Sequence, residues 1–275
     1  MNKYAFLCGV NKYNSGNDLR GCVNDVMDIR KRLVDKYSFN PDNIRVLTDS
    51  RATTKATLEH LDWLVSCCSP TEHDFLVYDN SSHGTQFRIR RDGIVDNYES
   101  AVVCPCDFDW DNNFISVDMI HQRLDRIPKN TTILIISDSC NSGDLVKELL
   151  PFEMEWGSKK NLSKRIIPPE DIQARSLGQE LPVKRVESYV STIDDVNVIF
   201  LSGCMSSQTS ADAYIDGRYN GALTAGIKHV MDLDSADTTY NCMHKLVMDF
   251  LDKNDFDQRP FLKGKENLLD DKLFT

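Results

Sequence analysis

Five short runs of this chain are apolar almost throughout: Tyr4–Gly9, Ile44–Leu47, Phe75–Tyr78, Ile133–Ile136 and Val198–Leu201. Stretches with helical spacing separate them. Residues 22–36 carry Val23, Val26, Met27, Ile29 and Leu33, and a helix capped by Thr53 or Thr54 carries Leu58, Leu61, Leu64 and Val65. Further helices are expected near 117–126, 221–232 and 240–252, with a last short strand around 259–262. Strands that are apolar on both faces and alternate with helices predict a mostly parallel sheet covered on both sides. In such a sheet the chemistry gathers outside the carboxyl ends of the strands.

Composition narrows the function classes. The formal charge of −10 disfavours nucleic acid, whose non-specific binding depends on neutralising phosphates, and suits basic partners or substrates. No run approaches the roughly 18 apolar residues of a membrane span, and the apolar N-terminus is too short for a signal peptide, so a cytoplasmic protein without a membrane partner is expected. Nine cysteines without regular spacing or a CxxC pair argue against a disulfide framework, a redox dithiol and a zinc site. Neither GxxxxGK[ST] nor GxGxxG is present, which disfavours a nucleotide-binding protein.

Two strand ends carry reactive groups. The third strand runs into Ser81-Ser82-His83-Gly84, the fourth into Asp138-Ser139-Cys140-Asn141-Ser142-Gly143. If the two strands are neighbours, His83 and Cys140 face each other across the sheet edge. A thiol is little ionised at neutral pH; an adjacent imidazole generates the thiolate and then protonates a departing amine. Gly84 lets the backbone come close to a substrate, where N–H groups stabilise an oxyanion. Alone, each residue is as readily a buried thiol or a loop histidine; their joint placement favours a cysteine peptidase with Cys140 as nucleophile and His83 as acid/base.

Taken in order, Gly9-Val10-Asn11-Lys12-Tyr13, Leu19-Arg20-Gly21-Cys22-Val23-Asn24-Asp25-Val26, Ser81-Ser82-His83-Gly84-Thr85-Gln86, Asp138-Ser139-Cys140-Asn141-Ser142-Gly143 and Ser202–Asp212 resemble metacaspases and their bacterial relatives, the orthocaspases, from Tyr4 to about Leu262. The resemblance implies a caspase-like α/β/α sandwich, with about six mostly parallel strands flanked by helices. It divides the chain into a large-subunit-like region (1–150), a linker (151–195) and a small-subunit-like region (196–275). It also implies a His83–Cys140 dyad with Gly84 and Cys140 amides as oxyanion donors. Two departures stand out: Ser82 replaces a glycine, and Ser139 and Asn141 replace a cysteine and a histidine.

Metacaspases cleave after Arg or Lys, and their acidic pocket maps onto Asp25 and Asp138, with Cys22 and Ser81 alongside and Asp212 as a further wall. The expected substrates are therefore proteins with Arg or Lys before the scissile bond. The linker, rich in Pro and holding Lys159, Lys160, Lys164, Arg165, Arg175, Lys184 and Arg185, then supplies self-cleavage sites in a zymogen. The chemistry requires no cofactor. Calcium activates many metacaspases, and Asp96, Asp107 and Asp118, with Asp92, Asp109 and Asp111, offer hard oxygen ligands; their spacing is not an EF-hand, and a solvated acidic loop is the favoured reading. An activating partner or small signalling molecule, as in bacterial death or defence systems, and a monomeric state complete the expectations. The rival from another class is a catalytically weak or dead caspase-like binding module.

Overall fold

The computed structural model describes residues 1–91, 94–139, 162–164, 169–172, 196–203, 211–233 and 237–275. Its centre is a six-stranded sheet made of β1 (Lys3–Gly9), β2 (Ile44–Thr48), β3 (Phe75–Ser81), β7 (Thr132–Asp138), β9 (Asn197–Ser202) and β12 (Phe261–Gly264). The spatial order is β12-β9-β7-β3-β1-β2, and all neighbours run parallel except β12 against β9. The mostly parallel sheet expected from the apolar runs is therefore present, and β3 and β7 are direct neighbours, with Ser81 opposite Asp138.

Alternation along the strands builds two cores. Phe6, Cys8, Leu76, Tyr78, Ile133, Ile135, Val198 and Phe200 pack on one face, against α2 (Thr54–Ser66) and α3 (Val117–Leu124). Ala5, Leu7, Phe75, Val77, Leu134, Ile136, Ile199 and Leu201 pack on the other, against α1 (Cys22–Tyr37), α4 (Ala222–Asp232) and α5 (Tyr240–Lys253). Thr53 caps α2 through Ala56 N–H, and Ser116 caps α3 through Met119 N–H. Gly9 ends β1 where a Cβ would sit 2.5 Å from the Cys22 carbonyl oxygen, so glycine is what lets α1 start against the sheet edge.

Two smaller sheets escaped the sequence reading. β4 (Gly84–Arg91) and β5 (Ile94–Val103) form an antiparallel pair extended by β6 (Ile115–Ser116). β10 (Ala211–Ile215) and β11 (Arg218–Gly221) form a hairpin, and β8 (Leu162–Ser163) adds to β10. The hairpin turns at Asp216-Gly217, both with positive φ (51° and 85°), a two-residue geometry that an Asp-Gly pair signals in sequence. β8 falls within the 151–195 linker; the rest of that segment, apart from 164 and 169–172, lies outside the described residues.

Leu134 is fully buried at the middle of β7. Leu134→Ala is expected to lower unfolding free energy by about 2–5 kcal/mol, measured by urea denaturation; a loss below about 1 kcal/mol would contradict the packing.

Candidate active site

The face of the sheet that packs on α1 and α4 ends in a pocket of buried acids. Odd-numbered positions of β3 put Asp79 and Ser81 on that face, even-numbered positions of β7 put Asp138 there, and α1 lowers Asp25 onto it. Asp25, Asp79, Ser81 and Asp138 are all fully buried. Asp25 accepts hydrogen bonds from Ser81 Oγ (2.7 Å) and from the Gly221 backbone N–H (2.9 and 3.0 Å to its two oxygens). Asp138 Oδ2 accepts from Thr224 N–H (3.0 Å) and Oγ1 (2.8 Å), at the positive end of α4. Upstream of α1, Asn11 Oδ1 takes the Cys22 N–H at 2.8 Å and so fixes the start of the helix that carries Asp25.

The pocket is filled by the chain itself. Lys164, the residue after β8, has no exposed side-chain surface. Its ammonium donates to Ser81 Oγ (2.9 Å), to the Asp138 carbonyl (3.0 Å) and to Asp138 Oδ1 (3.1 Å), and lies 3.6 Å from Asp25 Oδ2. Burial pulls the Lys164 pKa down, but Asp138 and Asp25 outweigh it and leave the ammonium well above the usual lysine range. Burial raises Asp25 to about 6, with the Lys164 charge pulling the other way. A Cβ on Gly221 would collide with Asp138 Oδ2 and Lys164 Nζ, so the missing side chain there is part of the pocket's shape.

The backbone of Lys164 is placed as specifically as its side chain. Its carbonyl oxygen accepts the Gly84 N–H at 2.9 Å, and the two residues before it pair with β10 as Ser163 opposite Ala211 and Leu162 opposite Asp212. Gly84 thus directs its amide at the carbonyl of a chain whose cationic side chain enters the acidic pocket.

His83 sits beside this carbonyl. Its backbone N–H donates to Tyr13 Oη at 2.8 Å, its ring packs 4.9 Å from the Tyr13 ring, and its Nε2 lies 2.7 Å from the Asn17 carbonyl oxygen. A carbonyl only accepts, so Nε2 carries the proton and Nδ1 keeps its lone pair. Nδ1 is buried and without a partner among the described residues. Burial lowers the His83 pKa, against the pull of the Lys164 and Asn17 carbonyls. Ser82, the departure from glycine, is fully buried; it donates to the His83 carbonyl (2.9 Å) and accepts from Asn80 Nδ2 (2.9 Å). Its hydroxyl braces the histidine loop.

Of the residues expected from sequence, the structure gathers His83, Gly84, Ser81, Asp25 and Asp138, with Cys22 buried on the first turn of α1 and its thiol pushed up by burial. Asp212 faces the pocket's edge: its Oδ2 accepts the Arg20 N–H at 2.7 Å, and it does not reach within ion-pair distance of Lys164. Cys140 and Asp92 lie outside the described residues, as does the side chain of Asp96. Asp107 holds the start of α2 through Thr54 N–H (2.8 Å), Asp109 accepts the Asp111 and Asn113 N–H groups (2.9 Å each), and Asp118 lies on α3. Among the described residues no three His, Cys, Asp or Glu side chains gather as metal ligands. Tyr13, Asn17, Asp79 and Gly221 were not singled out, and Lys164 stood as one linker base among several. Only the Asp-Gly turn beyond β10 gave a local signal for the hairpin that ends in Gly221.

Residues 3–149 match the metacaspase, peptidase C14 domain family. The chain is 25% identical to metacaspase-9 of Arabidopsis thaliana, covering 94% of this chain and 93% of that protein. It is 31% identical to metacaspase-1 of Scheffersomyces stipitis over 81% of this chain, and 26% identical to metacaspase-1 of Schizosaccharomyces pombe over 82%. It spans only 61% and 59% of the length of those two yeast relatives. A solved structure from Geobacter sulfurreducens superposes with a TM-score of 0.68 at 18% identity, covering 100% of this chain and 99% of that one, which places the fold.

Gly221→Ala, made together with Cys140→Ala, is expected to expel Lys164 and to speed trypsin cutting after Lys164 by about ten-fold or more, because the overpacked pocket no longer holds the ammonium. Equal trypsin resistance with and without the alanine at 221 would refute the pocket's occupancy.

Proposed function

This chain belongs to the metacaspase family of caspase-like cysteine endopeptidases, and on that footing we propose that it cleaves proteins after Lys or Arg and that its own Lys164–Arg165 bond is its first substrate. The pose of Lys164 carries this reading: the ammonium sits against Asp138, Ser81 and Asp25 while the carbonyl oxygen sits on the Gly84 N–H. A buried, carboxylate-lined pocket selects a cation and penalises an anion.

In the proposed reaction His83 Nδ1 takes the Cys140 proton and the thiolate attacks the Lys164 carbonyl carbon. The resulting oxyanion stays where the carbonyl oxygen now lies, held by the Gly84 N–H and the Cys140 N–H. Imidazolium then protonates the departing amine of Arg165, leaving a thioester, which water hydrolyses with His83 again as base. Asn17 positions the ring by accepting from Nε2 throughout. Until that bond is cut, Lys164 keeps other substrates out, so the uncut chain is a zymogen. No cofactor enters the proposed chemistry.

The test follows N-terminal sequence and gel migration together with a panel of fluorogenic peptides carrying Arg, Lys or Asp before the scissile bond, with and without calcium. Wild type is expected to yield a new N-terminus at Arg165 and to cleave the basic peptides. Lys164→Ala loses that cut but keeps peptide cleavage, and Cys140→Ala loses both. Preference for Asp, or cleavage by Cys140→Ala, overturns the proposal.

The pH dependence follows from two groups. A His83 pKa lowered by burial keeps the neutral base available below its ordinary value of 6.5, and Asp25, raised to about 6, loses its charge only as pH falls through that value. The kcat/KM for an Arg peptide is therefore expected to be flat from about pH 6.5 upward to neutrality and to drop near pH 6. A midpoint of the acid limb above 7 would contradict both assignments.

A further inference from the structure

Beneath the ammonium of Lys164 lies a carboxyl group with no assigned task. Asp79 is two residues before Ser81 on β3, so it occupies the same face one pleat deeper, about 7 Å along the strand. Its strand neighbours are Leu7 on β1 and Ile136 on β7, both core residues, and it is fully buried. Neither of its oxygens has a hydrogen-bond partner among the described residues. An apolar residue would pack there without leaving two acceptors unsatisfied, as Val77 does one pleat below.

The donors in the pocket explain what is missing. An ammonium has three N–H donors, and Lys164 directs them at Ser81 Oγ, the Asp138 carbonyl and Asp138 Oδ1. None is left for Asp79. A guanidinium has five donors in a rigid fork, and its side chain is one atom longer than that of lysine. With three donors satisfied by the same groups, two would remain for the two unpartnered carboxyl oxygens of Asp79 one pleat deeper.

We propose that Asp79 is the floor of the primary specificity pocket and selects arginine over lysine by accepting the two guanidinium donors that a lysine does not have. This rests on the basic-residue reading of the pocket and extends it to a residue that touches only the longer side chain. Burial and the neighbouring Asp25 and Asp138 charges push the Asp79 pKa well up, against the pull of the Lys164 charge. Lys164, on this account, is a second-best occupant: held firmly enough to seal the pocket, and displaced by arginine substrates once its own bond is cut.

The experiment compares kcat/KM for two fluorogenic peptides that differ only in Arg or Lys before the scissile bond, using self-processed enzyme. Wild type is expected to favour Arg by about ten-fold or more, the scale of one added charge-assisted pairing. In Asp79→Leu the Arg peptide loses at least ten-fold more than the Lys peptide, and the ratio falls to near one. Asp79→Asn, isosteric and safer for folding, shifts the ratio the same way and carries the test if the leucine variant does not fold. An Arg-to-Lys ratio that stays at the wild-type value in both variants overturns the assignment, as does a parallel fall of both peptides, which marks a structural role. Wild type that cleaves neither basic peptide fails earlier, by removing the basic-residue reading itself.

Discussion

Everything at this site depends on one cation among buried acids. Taking a carboxylate out of water is costly unless a partner of opposite charge and good hydrogen bonds replace the solvent, and breaking a buried pair by removing one partner is strongly destabilising. Asp25 and Asp138 face this problem together. The chain answers it with three elements that are far apart in sequence: Ser81 from β3, the Gly221 and Thr224 donors around the start of α4, and Lys164 from the segment between the two halves. The pocket is therefore also a joint. The acids belong to α1 and β7, while their backbone donors belong to the C-terminal part of the chain, so a seated cation helps hold the two parts in register.

The same economy governs the histidine loop. Glycine at position 82 would leave the His83 carbonyl to Cys104 N–H alone, which reaches it at 3.0 Å. Serine adds a second donor from its own side chain, and Asn80 supplies the donor that the serine oxygen then needs. The change from glycine is matched by a polar residue two positions earlier on β3, on the opposite face from Asp79 and Ser81. That makes Ser82 a brace for the His83 loop rather than damage to it.

Much of this was legible in the sequence, and the remainder was hidden for physical reasons. The central strands are apolar on both faces, so Phe75–Tyr78 and Ile133–Ile136 announce themselves without neighbours, and so does the placement of His83 beyond one of them. Asp25, Ser81 and Asp138 were reachable through the family motifs. β4, β5 and β10 were missed because these antiparallel strands of the two smaller sheets interleave polar residues such as Arg88 and Asp212 with apolar ones, so they do not read as strands that are apolar throughout. Lys164 could not be told from Lys159 or Lys160, since what singles it out is pairing between Leu162-Ser163 and Ala211-Asp212 across about 50 residues of chain. Asp79 reads in sequence as a strand-end acid, and only its burial without a partner distinguishes it.

These constraints also set how the seal is released. Two residue pairs hold β8 to β10, one N–H holds the Lys164 carbonyl, and the ammonium is held by charge-assisted bonds. In the uncut chain all three act on a segment tethered at both ends, so its effective concentration at the site is high and a free peptide competes poorly. On the proposed self-cleavage, a cut after Lys164 removes one tether and leaves the new carboxylate at the Gly84 N–H, with the short strand pairing in place. The balance then passes from tethering to intrinsic affinity, where a five-donor guanidinium meets a pocket that a three-donor ammonium leaves incompletely satisfied. A lysine at 164 is thus better suited to a removable plug than an arginine would be, because the pocket's surplus acceptors favour whatever comes next.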